Sequence, residues 1–216
     1  MRTKAKELRE EIIEYLLTNL SLNGKKKITE GKIASKFKVS RTPVREVLKI
    51  LESEGIISGR RNSGIKIRKF TKEDIESVYD VRILIETYAI KKTIKNIKEK
   101  DIKELKTYVK KYNQARRERK DKEAKRYDIL FHEKIVDHCG NWYLKHLIKK
   151  LYMFPFFMSL PKKSISYKID PNPYSHNKIL KALIKKDTEK ASKIIKKHIL
   201  WIKEYTLKKF KKEVRL

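Results

Sequence analysis

From Thr71 to Leu216 the chain runs for 146 residues with one glycine, Gly140, and no stretch that alternates apolar with polar residues. Sheets need turn residues and a side-chain period of two, so this part of the sequence is committed to helices. Thr71 followed by Asp74 has the spacing of a capping box. It opens a helix through about residue 97 that contains Ile75, Val78, Val81, Arg82, Leu84, Ile85 and Ala89. The pattern predicts further helices over residues 101–119, 122–139, 142–154, 174–186 and 188–209, with 161–173 as a loop. Six such helices make a bundle with its own core.

The first 70 residues follow a different pattern. Residues 40–56, SRTPVREVLKILESEGI, read as a helix. Ser40 or Thr42 supplies the cap oxygen, Pro43 falls in the first turn, and Gly55 stops it. Thr42, Val44, Leu48 and Leu51, widened by Ile50, form its apolar side, while Arg41, Arg45 and Lys49 project elsewhere. Residues 28–39 predict a shorter helix capped by Thr29, with Ile33, Ala34 and Phe37 inward. Residues 2–20 predict another, packed through Leu8, Ile12, Tyr15, Leu16 and Leu20. Ile56-Ile57 and Ile65-x-Ile67 flank a turn at residues 59–64, a hairpin whose tip carries Arg60, Arg61 and Asn62. Two tightly joined helices, the second basic at its start, followed by a hairpin, make a winged helix-turn-helix. A helix that leads with arginines and hydroxyls suits the major groove of duplex DNA. The expected fold is therefore mainly α: a winged helix-turn-helix over 1–70 and an antiparallel all-helical bundle over 71–216.

The net charge of +30 adds less than its size suggests. Residues 1–70 carry 18 Lys+Arg against 8 Asp+Glu, and residues 71–216 carry 39 against 19, so both parts are equally basic per residue. The excess raises salt-sensitive, non-specific affinity for DNA and nothing sharper. The arginines at 41, 45, 60 and 61 say more, because the guanidinium fork addresses guanine better than a lysine does. The single cysteine, Cys139, excludes an internal disulfide and reads as a small buried apolar residue in a reducing compartment. No apolar run reaches the length of a membrane span and no signal peptide opens the chain, which places it in the cytoplasm with no membrane partner.

Polar residues interrupt the bundle's apolar faces in three places. Asp128 and His132 lie one turn apart beside Phe131 and Ile135; His176 aligns with Ile179, Leu180 and Leu183; His198 aligns with Ile194, Ile195, Trp201, Ile202 and Tyr205. One carboxylate and three imidazoles suit a divalent transition metal with open positions for water or a ligand. Hydrogen-bonded core histidines and a buried Asp128–His132 pair fit the same spacing. A metal-dependent hydrolase is the alternative from another class, but Glu133 and Asp137 lie off the ligand face and leave no general base. A non-specific basic DNA-binding protein is the third reading.

TEGKIASKFKVSRTPVREVLKILESEGII, and VSRTPVREVL most specifically, resembles the winged-helix domain of the GntR superfamily of bacterial transcription regulators. The resemblance implies operator contacts from Arg41, Thr42 and Arg45, a phosphate contact from Ser40, and Gly64 at the wing approaching the minor groove, beside Arg60 and Arg61. Gly31 departs from the pattern, standing where many relatives carry an arginine. VYDVRILIETYAI, YDILFHEKIVDHCGN and HNKILKALIKKDTEKASKIIKKH resemble the FadR-type effector domain, FCD, in its six-helix branch. In metal-dependent members of that group an Asp, a His four residues on and two later His hold the ion, matching Asp128, His132, His176 and His198. His138 and His146 match no ligand position. The resemblance implies a homodimer that binds a palindromic operator and senses a small organic acid through the metal, with zinc first and nickel or manganese as alternatives. Arg82 and Asn141 are candidates for the effector pocket. The run LYMFPFFMSL, 151–160, reads as core packing kinked at Pro155; were it to line the cavity, the effector would be more apolar than a sugar acid.

Overall fold

The computed structural model describes residues 8–9, 11–13, 15–16, 19, 28–58, 64–68, 70–158 and 174–214; at 58, 67, 122, 153–158 and 211–214 it describes the backbone alone. Two compact units divide the chain. One is built on the described residues up to Phe70, the other on those from Thr71 to Met153 and from 174 on.

In the first unit, α1 (Glu30–Phe37) starts where the Thr29 hydroxyl accepts from the Lys32 N–H at 3.4 Å, and it stops at Lys38, whose φ of 53° is left-handed. α2 (Arg41–Ser53) follows at once and ends before Gly55, at φ +67°. Val44, Val47, Leu48 and Leu51 form its buried stripe. Ser40 is the residue before the helix, but its side chain makes no capping bond. Thr42 and Ile50, expected on the apolar side, are exposed. At about 100° per residue Thr42 falls nearly opposite the centre of that stripe and Ile50 about a third of a turn from it, and Val47 takes the place given to Ile50. The hairpin is present: β1 (Ile57–Ser58) pairs antiparallel with β2 (Lys66–Ile67), and Ile28 bridges to Ile65. Helical residues Ile12, Ile13 and Leu16 are buried as well, as are Ile33 and the α2 stripe. Arg9 Nη2 donates to both carboxylate oxygens of Glu54, at 2.8 and 2.7 Å, and ties the N-terminal helical residues to the residue that ends α2.

The second unit holds six helices: α3 (Lys72–Asn96), α4 (Glu99–Arg117), α5 (Asp121–Asp137), α6 (Trp142–Met158), α7 (His176–Ile184) and α8 (Thr188–Val214). The Thr71–Asp74 capping box opens α3. α3 packs along α8 and α4 along α5, while α7 lies on α8 and touches α4. Phe131, Ile75, Ile90, Leu105, Ile135 and Ile148 are fully buried. The bundle therefore has the predicted helices, with ends moved by one to five residues. The largest shift is at the end of α8, expected at 209 and found at Val214; α6 continues past residue 154 through Pro155, and a proline fits helical φ and forgoes one backbone bond. Of 151–160, Tyr152 is buried and Leu151 half-buried against the core; the side chains from 153 on lie outside the described residues.

The buried face of α3 is not the most apolar one its sequence offers. Val81 and Leu84 face outward, while Ile75, Tyr79, Arg82, Glu86, Ala89 and Thr93 form the buried stripe. That stripe runs in alternating steps of four and three, so two charged residues sit in its middle. Among the described residues no helix is long and apolar enough to cross a membrane. Replacing Thr71 by alanine removes the capping bond on Asp74 and should lower the stability of the helical unit by about 1 kcal/mol in urea unfolding; an unchanged midpoint would show that the box is dispensable.

Candidate functional site

α5 presents Asp128 and His132 one turn apart, α7 begins at His176, and α8 brings His198 from its middle. The four meet. His176 Nε2 lies 3.0 Å from Asp128 Oδ1 and 3.2 Å from His132 Nε2, which lies 3.2 Å from His198 Nε2 and 3.8 Å from Asp128 Oδ1. One donor atom from each residue falls within 4.8 Å of all the others. The histidines are buried and Asp128 is half-buried. Phe131 and Tyr112 pack their rings against His176, at 4.7 and 4.6 Å between centroids.

The far sides of two imidazoles decide what the cluster can hold. His198 Nδ1 is 2.9 Å from the Tyr174 carbonyl oxygen, which can only accept, so this nitrogen carries the proton. His132 Nδ1 is 2.5 Å from Glu86 Oε2. Burial pushes the Glu86 carboxyl up, but the charges of His132 and Arg82 outweigh it and hold the group below the usual carboxylate range. Glu86 is thus ionised and accepts from Nδ1. His132 Nε2 and His198 Nε2 then face each other across 3.2 Å, a distance at which one ring can donate an N–H to the other or both can donate to a cation. Burial, with His176 and His132 alongside, drives His198 well below its ordinary value, which keeps its Nε2 available as a lone-pair donor. A divalent transition metal bonded to nitrogen at about 2.0–2.1 Å separates neighbouring donors by about 2.9–3.4 Å, which fits the observed spacing.

Asp128 completes the donor set as its anion. Burial raises its carboxyl, and the hydrogen bond from His176 with the fields of all three histidines lowers it further, far below the ordinary range. His176 is lowered by burial despite the pull of Asp128. One turn before Asp128, burial pushes the Lys125 ammonium down to about 7, with Asp128 opposing and Arg82 reinforcing the shift.

The two pocket candidates stand apart in role. Arg82 is buried, donates from Nε to Glu86 Oε1 at 3.0 Å, and lies over the rings of Tyr152 and Tyr79, at 4.9 and 5.4 Å. Asn141 caps α6, its Oδ1 accepting from the Leu144 N–H at 3.1 Å. His138 Nε2 pairs with Asp101 at 3.1 Å and His146 bonds the Trp142 carbonyl on the surface, both away from the donor set. Sequence reasoning missed Glu86. Its signal was the i, i+4 pair of opposite charges, Arg82 and Glu86, inside a buried stripe.

In the first unit Ser40, Arg41, Thr42 and Arg45 are all exposed on the leading end of α2. Arg45 Nε is held by Glu30 Oε2 at 2.7 Å. The Arg41 guanidinium lies against Gly31: a Cβ there would stand 3.6 Å from Arg41 Nη2. The missing arginine at 31 therefore leaves space that Arg41 fills. Gly64 has φ +78° and is buried, and Arg60 and Arg61 lie outside the described residues.

Comparison with known proteins bears on both units. Residues 77–200 match the family model for the FCD domain, and residues 4–67 match that for bacterial regulatory proteins of the gntR family. The HTH-type transcriptional regulator YdhC of Bacillus subtilis is 26% identical over 189 residues, covering 87% of this chain and 83% of that protein. The gluconate operon transcriptional repressor of the same organism is 33% identical over 147 residues, 68% of this chain and 58% of the repressor. Among solved structures, E. coli McbR/YncC superposes with a TM-score of 0.81 at 18% identity, covering 95% of this chain and 98% of that one.

Depressed histidines set a pH dependence. In metal-free protein the unfolded chain takes up protons below the ordinary histidine value of 6.5, while buried His176 and His198 do not. Stability should hold above that pH and fall as pH drops from 6.5 toward the lower folded values, and His198→Gln should flatten the fall; a slope equal in both proteins would contradict the assignment.

Proposed function

Because this chain belongs to the gntR family of bacterial regulatory proteins and carries an FCD domain, we propose that it is a ligand-responsive transcriptional repressor that binds a palindromic operator as a homodimer. The family and the matched relatives are transcriptional regulators, not enzymes. The helical unit holds a divalent metal, zinc first and nickel or manganese next, on Asp128, His132, His176 and His198. One observation carries the metal: a carboxylate oxygen and three imidazole nitrogens, one from each of these residues, all within 4.8 Å of one another. The charges then favour an anionic effector. Asp128 offsets one of the ion's two positive charges, Glu86 and Arg82 cancel, and a buried single positive charge is left for a carboxylate. The gluconate operon repressor among the relatives is named for a sugar acid, a small carboxylate.

Arg41, Thr42 and Arg45 read base edges from α2, Ser40 meets a phosphate, and the wing contributes Arg60, Arg61 and Gly64. Glu30 keeps Arg45 extended along the helix surface until the groove replaces it. Two copies pair through the outer face of α3, where Val81, Leu84 and Tyr88 are 37%, 70% and 46% exposed at helical spacing. The protein works in the cytoplasm, where its operator is.

On a palindromic duplex selected from random sequence, Arg45→Ala should weaken binding at least tenfold at fixed salt and leave metal content unchanged. Equal affinity for selected and random duplex would instead indicate a non-specific basic protein. Leu84→Glu should convert the dimer to monomer in light scattering; a dimer of unchanged strength would move the interface elsewhere.

A further inference from the structure

We infer that Glu86 is the positioning residue of the metal centre, fixing His132 so that Nε2 faces the ion; the inference rests on the metal reading of Asp128, His132, His176 and His198. Glu86 is fully buried and sends one carboxylate oxygen to each of two partners, Oε1 to Arg82 Nε at 3.0 Å and Oε2 to His132 Nδ1 at 2.5 Å. Arg–carboxylate pairs frequently close the guanidinium fork on both oxygens. Here the fork is spent on one oxygen only, and Arg82 Nη2 is buried without a hydrogen-bond partner. The carboxylate is turned out of its best pairing with arginine toward the imidazole. Arg82, clamped between the rings of Tyr152 and Tyr79, holds the other oxygen and keeps Glu86 from swinging into the donor set as a fifth ligand.

The three histidines are not equivalent under this arrangement. His198 donates to a neutral backbone carbonyl, whereas His132 donates to a charge. A carboxylate on the far nitrogen fixes the tautomer, sets the ring plane and raises the basicity of the coordinating nitrogen, and losing such a partner costs roughly 10- to 100-fold in metal affinity. His132 is also the ring whose Nε2 touches both of the others at 3.2 Å, so its orientation sets the spacing of the whole cluster.

The test pairs zinc competition against a chromophoric chelator with long-range 1H–15N spectra of the metal-free protein. Glu86→Gln should weaken zinc binding about 10- to 100-fold in the wild-type background and by less than about threefold in the His132→Ala background, because Glu86 acts through that ring. Wild-type metal-free protein should show the His132 proton on Nδ1. Zinc affinity of Glu86→Gln within threefold of wild type, an equal loss in both backgrounds, or a proton on Nε2 of His132 would overturn the inference. Wild-type protein that binds no zinc, nickel or manganese yet carries the His132 proton on Nδ1 would remove the metal reading and leave the positioning contact standing. If Glu86→Gln does not fold, the wild-type spectrum decides.

Discussion

Two imidazole rings that each give their outer proton away, one to a carboxylate and one to a carbonyl, meet with their inner nitrogens 3.2 Å apart. The helical unit is arranged around that contact. It takes a residue from α5, one from the first turn of α7 and one from the middle of α8, so the donors are 44 and 66 residues apart along the chain. Only a bundle in which α5, α7 and α8 share a core brings them together. Packing alone does not explain it, since apolar side chains there would avoid the desolvation that three imidazoles and a carboxylate suffer. A cation held among the four donors would offset that cost.

α3 links this interior to the surface. Its inner stripe carries Arg82 and Glu86, and its outer face carries Val81, Leu84 and Tyr88, within two turns of one another. The helix is long and capped by a box at its start, so it is a stiff element between the ion's neighbours and the face assigned to pairing. Any effector that changes the equilibrium of the bundle must bind its two arrangements unequally. The winged unit shows a similar economy of charge. Its exposed arginines do not all point free into solvent, because Glu30 takes Arg45 and the space over Gly31 takes Arg41.

Much of this was legible from residue spacing. Asp128 and His132 are four apart beside Phe131 and Ile135, and that is enough to place both on an inward face. His176 and His198 were found in the same way. The hairpin followed from β-branched pairs around glycines, and α1 from Thr29. What spacing did not give was phase in α3. Its sequence offers apolar residues on several faces, and Val81 and Leu84 are as apolar as the buried set, so the stripe through Tyr79, Arg82 and Glu86 was hidden behind a more hydrophobic one. Periodicity counts apolar residues and cannot see a buried ion pair, yet that pair carries the contact to His132. The hydroxyls at the start of α2 read as a cap and as part of the apolar face; Ser40 does stand at the cap position but without a side-chain capping bond, and Thr42 is exposed.

The most direct measurement is X-ray absorption at the metal edge of purified protein. The account predicts one divalent ion per chain, with imidazole multiple scattering and nitrogen or oxygen neighbours at about 2.0–2.2 Å. An edge spectrum without imidazole scattering, or protein that stays free of metal after incubation with zinc, nickel and manganese, would contradict it.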